Sequence, residues 1–298
     1  MNSGTHATAT IPPAPRWVFD LVGAPLPGEL IRIGDRVCEA GTAAIDDATF
    51  VCLRLPGADA LNAADLRLAV VEMYRLIFST LEAERRHPVR AWHAIPSIHQ
   101  PMGDELDRYR VFNIGRFDAF VERFGDPSSF GRTLFAASAV GHGGDDLTIS
   151  VLATRERGRP MENPLQTPAF GYSRAYGPRP PCFARATLAR IAGAPKLLVS
   201  GTASIRGEDS TNPGSLESQT NETLENIGVL AAAFGEPYSL SGCDTARVYL
   251  PRPEDSPWIA EFLSARLPAA AEIECCHADV CRPELLVEIE VTILPHRP

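Results

Sequence analysis

The sequence predicts an α+β protein made of two tandem units, each a sheet covered by helices. Three observations carry that prediction. The order strand, long helix, strand, short helix, strand, strand occurs twice along the 298 residues, an internal duplication read from element order and not from residue identity. Each repeat holds one long segment whose apolar residues recur at helical spacing. The last strand, 285–291, alternates: Leu285, Val287, Ile289 and Val291 fall on one face, and Leu286, Glu288 and Glu290 on the other.

Taken in order, residues 1–15 are polar and Pro-rich and read as a loose tail. A strand pair is expected at 29–36 and 50–55, closed by Pro56-Gly57. The first long helix, 63–86, has Asn62 as N-cap and Leu66, Val70, Met73, Ile77 and Leu81 as its buried stripe. His87-Pro88 stops it. A strand follows at 89–95, a short extended piece at 109–113 and a short helix at 116–124 ended by Gly125. Strands at 133–140 and 147–153 flank a Gly-rich turn. The second unit repeats this with a strand at 197–204 and a long helix at 216–234 that buries Thr220, Leu224, Ile227, Leu230 and Phe234. A strand at 246–250, a short helix at 257–267 and strands at 273–278 and 285–293 complete it. The units divide as 1–155 and 156–298. Two such units leave a cleft where they meet.

Composition narrows the functional classes. Hydrophobic residues make up 45%, which is ordinary globular composition. The net charge of −9, from 37 acids and 28 bases, argues against nucleic acid or an anionic membrane surface as partner. It leaves open an anionic small molecule held by a local arginine cluster. Cys38, Cys52, Cys182, Cys243, Cys275, Cys276 and Cys281 are odd in number and irregular in spacing. They read as reduced thiols of a cytoplasmic protein, and Cys276, His277 and Cys281 lack the spacing of a metal site. There is no signal-peptide pattern and no apolar run of membrane-spanning length.

Two stretches invite chemistry. Residues 155–181 are rich in Pro and Gly yet hold Phe170, Tyr172 and Tyr176 with Arg174 and Arg179. Either they form an interdomain linker, or they form an ordered loop lying over a ligand. The paired Glu288 and Glu290 are either the polar side of a half-solvated edge strand, or one of them points into a cleft as an acid or base with Cys281 at its mouth.

The second half resembles the small proteins of the reactive-intermediate deaminase family. The resemblance rests on residues 198–204 (LVSGTAS), 219–227 (QTNETLENI) and 287–290 (VEIE). The chain as a whole resembles the chorismatases, which consist of two deaminase-like (chorismate-mutase-like) domains and split pyruvate from chorismate. Here the carriers are residues 106–117 (LDRYRVFNIGRF), 162–164 (ENP), Tyr172, 176–178 (YGP), 183–186 (FARA) and 281–290 (CRPELLVEIE). This implies a degenerate N-terminal deaminase-like domain and a C-terminal one carrying most of the active site. It also implies a chorismate substrate and no metal or organic cofactor. Plain imine hydrolysis is disfavoured, because Cys275 stands where those deaminases carry an arginine, and a carboxylate substrate would lose its bidentate partner.

The resemblance assigns Glu288 as catalytic acid, with Glu290 as its supporting neighbour, and Tyr172 and Arg185 as substrate contacts. Arg247 is a weaker candidate for a second carboxylate; Arg174, Arg179 and Arg282 are alternatives. Cys281 and Gly201 match the subgroup forming 3-hydroxybenzoate; the other subgroup has alanine-like residues at those two positions. The cysteine would assist at the ring and Gly201 would leave room for it. The expected reaction is therefore chorismate to 3-hydroxybenzoate and pyruvate. A mixed 3-/4-hydroxybenzoate product and a non-catalytic metabolite-binding protein are the alternatives, and a homo-oligomer stays open.

Overall fold

The computed structural model describes residues 12–23, 28–235 and 237–295. Residues 1–11 of the expected tail lie outside them. The chain opens with a short helix, α1 (Arg16–Val22), that the sequence did not announce. The first unit then runs β1 (Glu29–Ile33), β2 (Arg36–Ala44), β3 (Ala48–Leu55), α2 (Ala63–Ala83), β4 (His87–Pro96), α3 (Arg108–Phe124), β5 (Ala136–His142) and β6 (Leu147–Thr154). The second runs β7 (Arg159–Met161), β8 (Ala186–Ile191), β9 (Ala194–Thr202), α4 (Leu216–Ala233), β10 (Cys243–Leu250), α5 (Ser256–Ser264), β11 (Glu272–His277) and β12 (Glu288–Ile293).

The first sheet is ordered β1-β2-β3-β6-β4-β5, and the second, read from its other edge, β7-β8-β9-β12-β10-β11. The two orders are the same. In both units a parallel strand pair, β4 with β5 and β10 with β11, is bridged by the shorter helix. The expected duplication is therefore present as topology. Strands β2, β7 and β8 escaped the sequence reading. β2 and β8 each join their hairpins through a Gly turn, Gly34 at φ 58° and Ala192-Gly193 at φ 50° and 74°. A two-residue loop with positive φ matches the twist of paired strands.

Helix α2 is as expected: the Asn62 side chain accepts the Asp65 N–H, and Leu66, Val70, Met73, Ile77 and Leu81 are buried. It ends at Ala83, before His87-Pro88, where Arg85 takes a left-handed conformation at φ 54°. The expected break between 113 and 116 is absent. Helix α3 is continuous from Arg108, capped by the Asp107 side chain. Gly115 does not interrupt it, because the glycine is a packing contact. A Cβ there would lie 2.7 Å from Arg67 O and 2.9 Å from Val70 Cβ on α2.

The helices cover the outer sheet faces. The inner faces turn toward each other, joined by bridges from Ala136 to Ala184 and from Gly141 to Asp279. Helix α1 closes one end of this interface, where Val18 packs in a cluster with Phe50, Trp92, Leu152, Ile191 and Leu198. Among the described residues, no helix is long and apolar enough to cross a membrane.

Candidate active site

Strand β12 is not an edge. It lies between β10 and β9, and its Glu face meets the first unit. Glu288 and Glu290 are each only 5% exposed, so the half-solvated reading fails. The two carboxyls share a face but differ in partners. Glu290 accepts hydrogen bonds from Trp92 Nε1 at 2.7 Å, Tyr249 OH at 3.0 Å, Arg90 at 2.6 Å and the Ser138 hydroxyl. The Glu288 side chain accepts none from the described residues. Burial and the neighbouring Glu290 charge push its pKa up to about 8, against the smaller opposing pull of Arg90 and Arg185. At neutral pH it is a protonated acid.

A β-bulge aims this pair. Between the rungs Ile289–Thr202 and Val291–Val199, Glu290 on β12 faces both Ser200 and Gly201 on β9. The freed Gly201 N–H donates to Ser138 Oγ at 3.0 Å, and Ser138 in turn donates to Glu290. An added side chain here would crowd the pair: a Cβ would lie 2.7 Å from Glu288 Cδ and 2.9 Å from Ser138 Oγ, so the carboxyl end would have to turn aside. The small size of Gly201 makes room for the acid itself.

Glu288 and Gly201 line a cleft of about 380 Å³ between the units, with Ser138 on the opposite sheet and Cys281 at the corner before β12. Burial pushes the Cys281 thiol up to about 12, and the Glu288 charge adds to this. It is a neutral S–H, not a thiolate. The 155–181 stretch is an ordered cover, not a linker. Tyr172 and Tyr176 line the cleft. Ser173 N–H is fixed to Glu208 at 2.8 Å and Tyr176 OH to Asp209 at 2.8 Å. Arg185, 3% exposed, donates to Tyr172 OH at 2.8 Å and to Thr167 O at 3.0 Å. Arg282 lies 4.0 Å from the Tyr176 ring centroid.

The structure thus brings together Glu288, Cys281, Tyr172, Arg185 and Gly201. It does not bring Arg247. That side chain is on the same inner face but lines a separate cavity of about 20 Å³ with Arg90, Trp92 and Glu290. It pairs with Glu274 at 3.5 Å, approaches Cys276 Sγ at 3.2 Å and donates to Pro12 O at 3.0 Å. Its role is to tie the N-terminal segment to the second sheet. Arg174 and Arg179 do not line the cleft either, and Arg179 stacks on Phe117 at 4.7 Å.

Sequence reasoning missed Arg90, Ser138 and Arg116. Arg90 and Ser138 come from the other sheet, 200 and 152 residues from Glu290, and no local pattern joins them. Arg116 had a signal. On a continuous α3 it falls one turn from Phe112 and from Phe120, inside the buried stripe.

Comparison with known proteins agrees with this geometry. The family described as chorismatase FkbO/Hyg5-like, N-terminal, matches residues 36–153. A 3-hydroxybenzoate synthase of Streptomyces hygroscopicus is 34% identical over 266 residues, covering 85% of this chain and 76% of that protein. The chain belongs to the chorismatase family. A chorismatase of Streptomyces rapamycinicus is 36% identical over 67% of this chain and 62% of its own length, so the match spans about three fifths of that relative. The crystal structure of a chorismatase superposes with a TM-score of 0.76 at 29% identity, covering 90% of this chain and 80% of the other. In this chorismatase-family chain the agreement extends over both units, and the cleft lies between them.

Proposed function

We propose that this protein converts chorismate to 3-hydroxybenzoate and pyruvate. The observation that carries the reading is a carboxylic acid held protonated at neutral pH, in a cleft that also presents the buried Arg185 guanidinium. Hydrolysis of an enol ether begins with protonation of its terminal vinyl carbon, and an acid with pKa near the working pH is suited to that step. Glu288 donates the proton, and its carboxylate then faces the cation that develops at the ether carbon. Water adds to that carbon, and the hemiketal collapses to pyruvate, leaving the ether oxygen on the ring. The resulting dihydroxycyclohexadiene acid loses its other ring hydroxyl as water, with one ring proton, to give 3-hydroxybenzoate. The water consumed in the first stage is returned in the second.

Arg185 and Tyr172 hold one substrate carboxylate, the guanidinium through paired charge-assisted hydrogen bonds and the phenol as a directional donor. Burial first, and then the charge of Glu290 anchored by four donors, keep Glu288 protonated. Cys281 contacts the ring as a neutral thiol, so it does not act as an anionic base or nucleophile. Incubation of the purified protein with chorismate tests the proposal, following pyruvate and identifying the ring product by mass. Pyruvate with equimolar 3-hydroxybenzoate is expected. Pyruvate with a diene acid would overturn the product assignment, and no turnover above the spontaneous background would overturn the catalytic reading.

A further inference from the structure

The duplication is not symmetric in charge. β6 holds the place in the first sheet that β12 holds in the second, yet residues 147–154 contain no acid. The first sheet's side of the interface is apolar at Phe50, Trp92 and Leu152. The second sheet's side carries Arg247, Glu274 and Glu290. Helix α1 lies against both. Val18 is fully buried among the apolar residues, and Phe19 meets Phe50 edge to face at 5.9 Å. Toward the charged side, Pro12 O accepts from Arg247 at 3.0 Å, and Arg16 lies 3.7 Å from Glu272. Seven residues are too few to hold a helix in water, so α1 depends on this seat.

Beneath α1 is the cavity of about 20 Å³, room for roughly one water. Pro15, Arg16 and Trp17 line it from the N-terminal segment, and Arg90, Trp92, Arg247 and Glu290 line it from the sheets. The outer side of α1 is wet, where Arg16 and Asp20 are exposed. Trp17 is half-buried, with Lys196 Nζ 5.9 Å from its ring centroid. Its indole therefore stands between solvent and the carboxylate that flanks the catalytic acid.

We propose that α1 is a plug, and that Trp17 is a positioning residue which acts on the reaction through Glu290 by keeping water from that carboxylate. This rests on the reading of Glu288 as the proton donor. The charges that bear on Glu290 are Arg90 from β4, Arg247 from β10 and Glu274 from β11, with Arg16 and Glu272 across the cavity. Glu288, on the same strand as Glu290, faces Arg90 and Arg185, the Cys281 thiol and the Tyr109 phenol. Its pKa of about 8 is due first to burial and then to the charge of Glu290. Water admitted under α1 screens that charge and wets the interface. The Glu288 pKa then falls from about 8 toward its ordinary 4.5, and the proton it donates is lost at a lower pH.

The test is Trp17→Ala in the full chain, with Trp17→Phe as the conservative rescue. Ile259→Val, a core change on α5 away from the cleft, controls for lost stability. In Trp17→Ala the high-pH midpoint of kcat should move down by at least about one pH unit, while KM for chorismate stays within about twofold. Trp17→Phe should restore the midpoint, and Ile259→Val should lower the unfolding temperature without moving it. An unmoved midpoint in Trp17→Ala would overturn the proposal, as would an equal shift in Ile259→Val. Should Trp17→Ala not fold, Val18→Ala loosens the seat while leaving Trp17 and every charge in place; it must shift the midpoint the same way, and an unmoved one overturns the plug. A second probe needs no substrate: the carboxylic-acid carbonyl band of Glu288, taken as the infrared difference between each protein and its Glu288→Gln counterpart and titrated with pH. If that band shifts in Trp17→Ala while wild-type protein releases no pyruvate from chorismate, the reaction is wrong and the plug stands. If the band does not shift in a protein that turns chorismate over, the plug falls and the reaction stands.

Discussion

Replacing Glu288 by Gln should abolish pyruvate release and at the same time stabilise the protein. Burial and Glu290 raise the Glu288 pKa from 4.5 to about 8, so the folded state holds a proton that the unfolded chain has released by neutral pH. A carboxyl with a raised pKa adds no penalty below its unfolded value of 4.5, and stability is then lost as pH climbs toward 8. At pH 7 the folded protein must retain a proton across about 2.5 pH units, which costs roughly 3 kcal/mol at about 1.4 kcal/mol per unit. Glutamine keeps the shape and stays neutral at every pH, so it removes that cost. Chemical denaturation of both proteins at pH 5 and pH 8 checks this. The variant should gain little at pH 5 and about 3 kcal/mol or more at pH 8. A gain that is the same at both pH values, or a destabilised variant at pH 8, would refute the assignment of Glu288 as a buried neutral acid, and near-normal turnover would remove it from the mechanism.

Other expectations follow from the same cleft. Wild-type kcat should fall as pH rises through about 8, where Glu288 loses the proton it donates; a profile flat to pH 10 would contradict this. Gly201→Ala puts a Cβ 2.7 Å from Glu288 Cδ, so the flexible end of the acid must turn aside, and pyruvate release should continue but slow by about two- to tenfold, since small misplacements of reacting groups are costly; an unchanged rate would show that the carboxyl has room. Cys281→Ala should move the product toward the diene acid while pyruvate release continues, and an unchanged product ratio by chromatography would reduce Cys281 to packing. Glu290→Gln leaves Arg90 buried beside a neutral amide. It should destabilise the fold by about 3–5 kcal/mol, read as a lower denaturation midpoint, where a surface-like change below about 1 kcal/mol would contradict the buried pair.

The sequence by itself determined the duplication, the long helix α2 with its cap and stripe, and the alternation that puts Glu288 and Glu290 on one face. These follow from local periodicity, which a single strand or helix imposes on its own residues. The family segments also named Tyr172, Arg185, Gly201, Cys281 and Glu288, all of which line the cleft. Helix α3 begins at Arg108 where the sequence reading had an extended piece at 109–113, and the missing side chain of Gly115 inside it lets α2 approach to 2.7 Å from the place a Cβ would take.

The alternation treats the two glutamates alike and the resemblance alone singles out Glu288; only the tertiary structure gives them different surroundings. Periodicity fixes the face a residue occupies but not what packs against that face. Arg90, Trp92 and Ser138 arrive from the other unit, and together with Tyr249 they give four donors to Glu290 and none to Glu288. The same cause removed Arg247 from the cleft and brought Arg116 to it. Solvation and charge pairing belong to the space between the two sheets, and that space exists only once residues up to 200 positions apart have met.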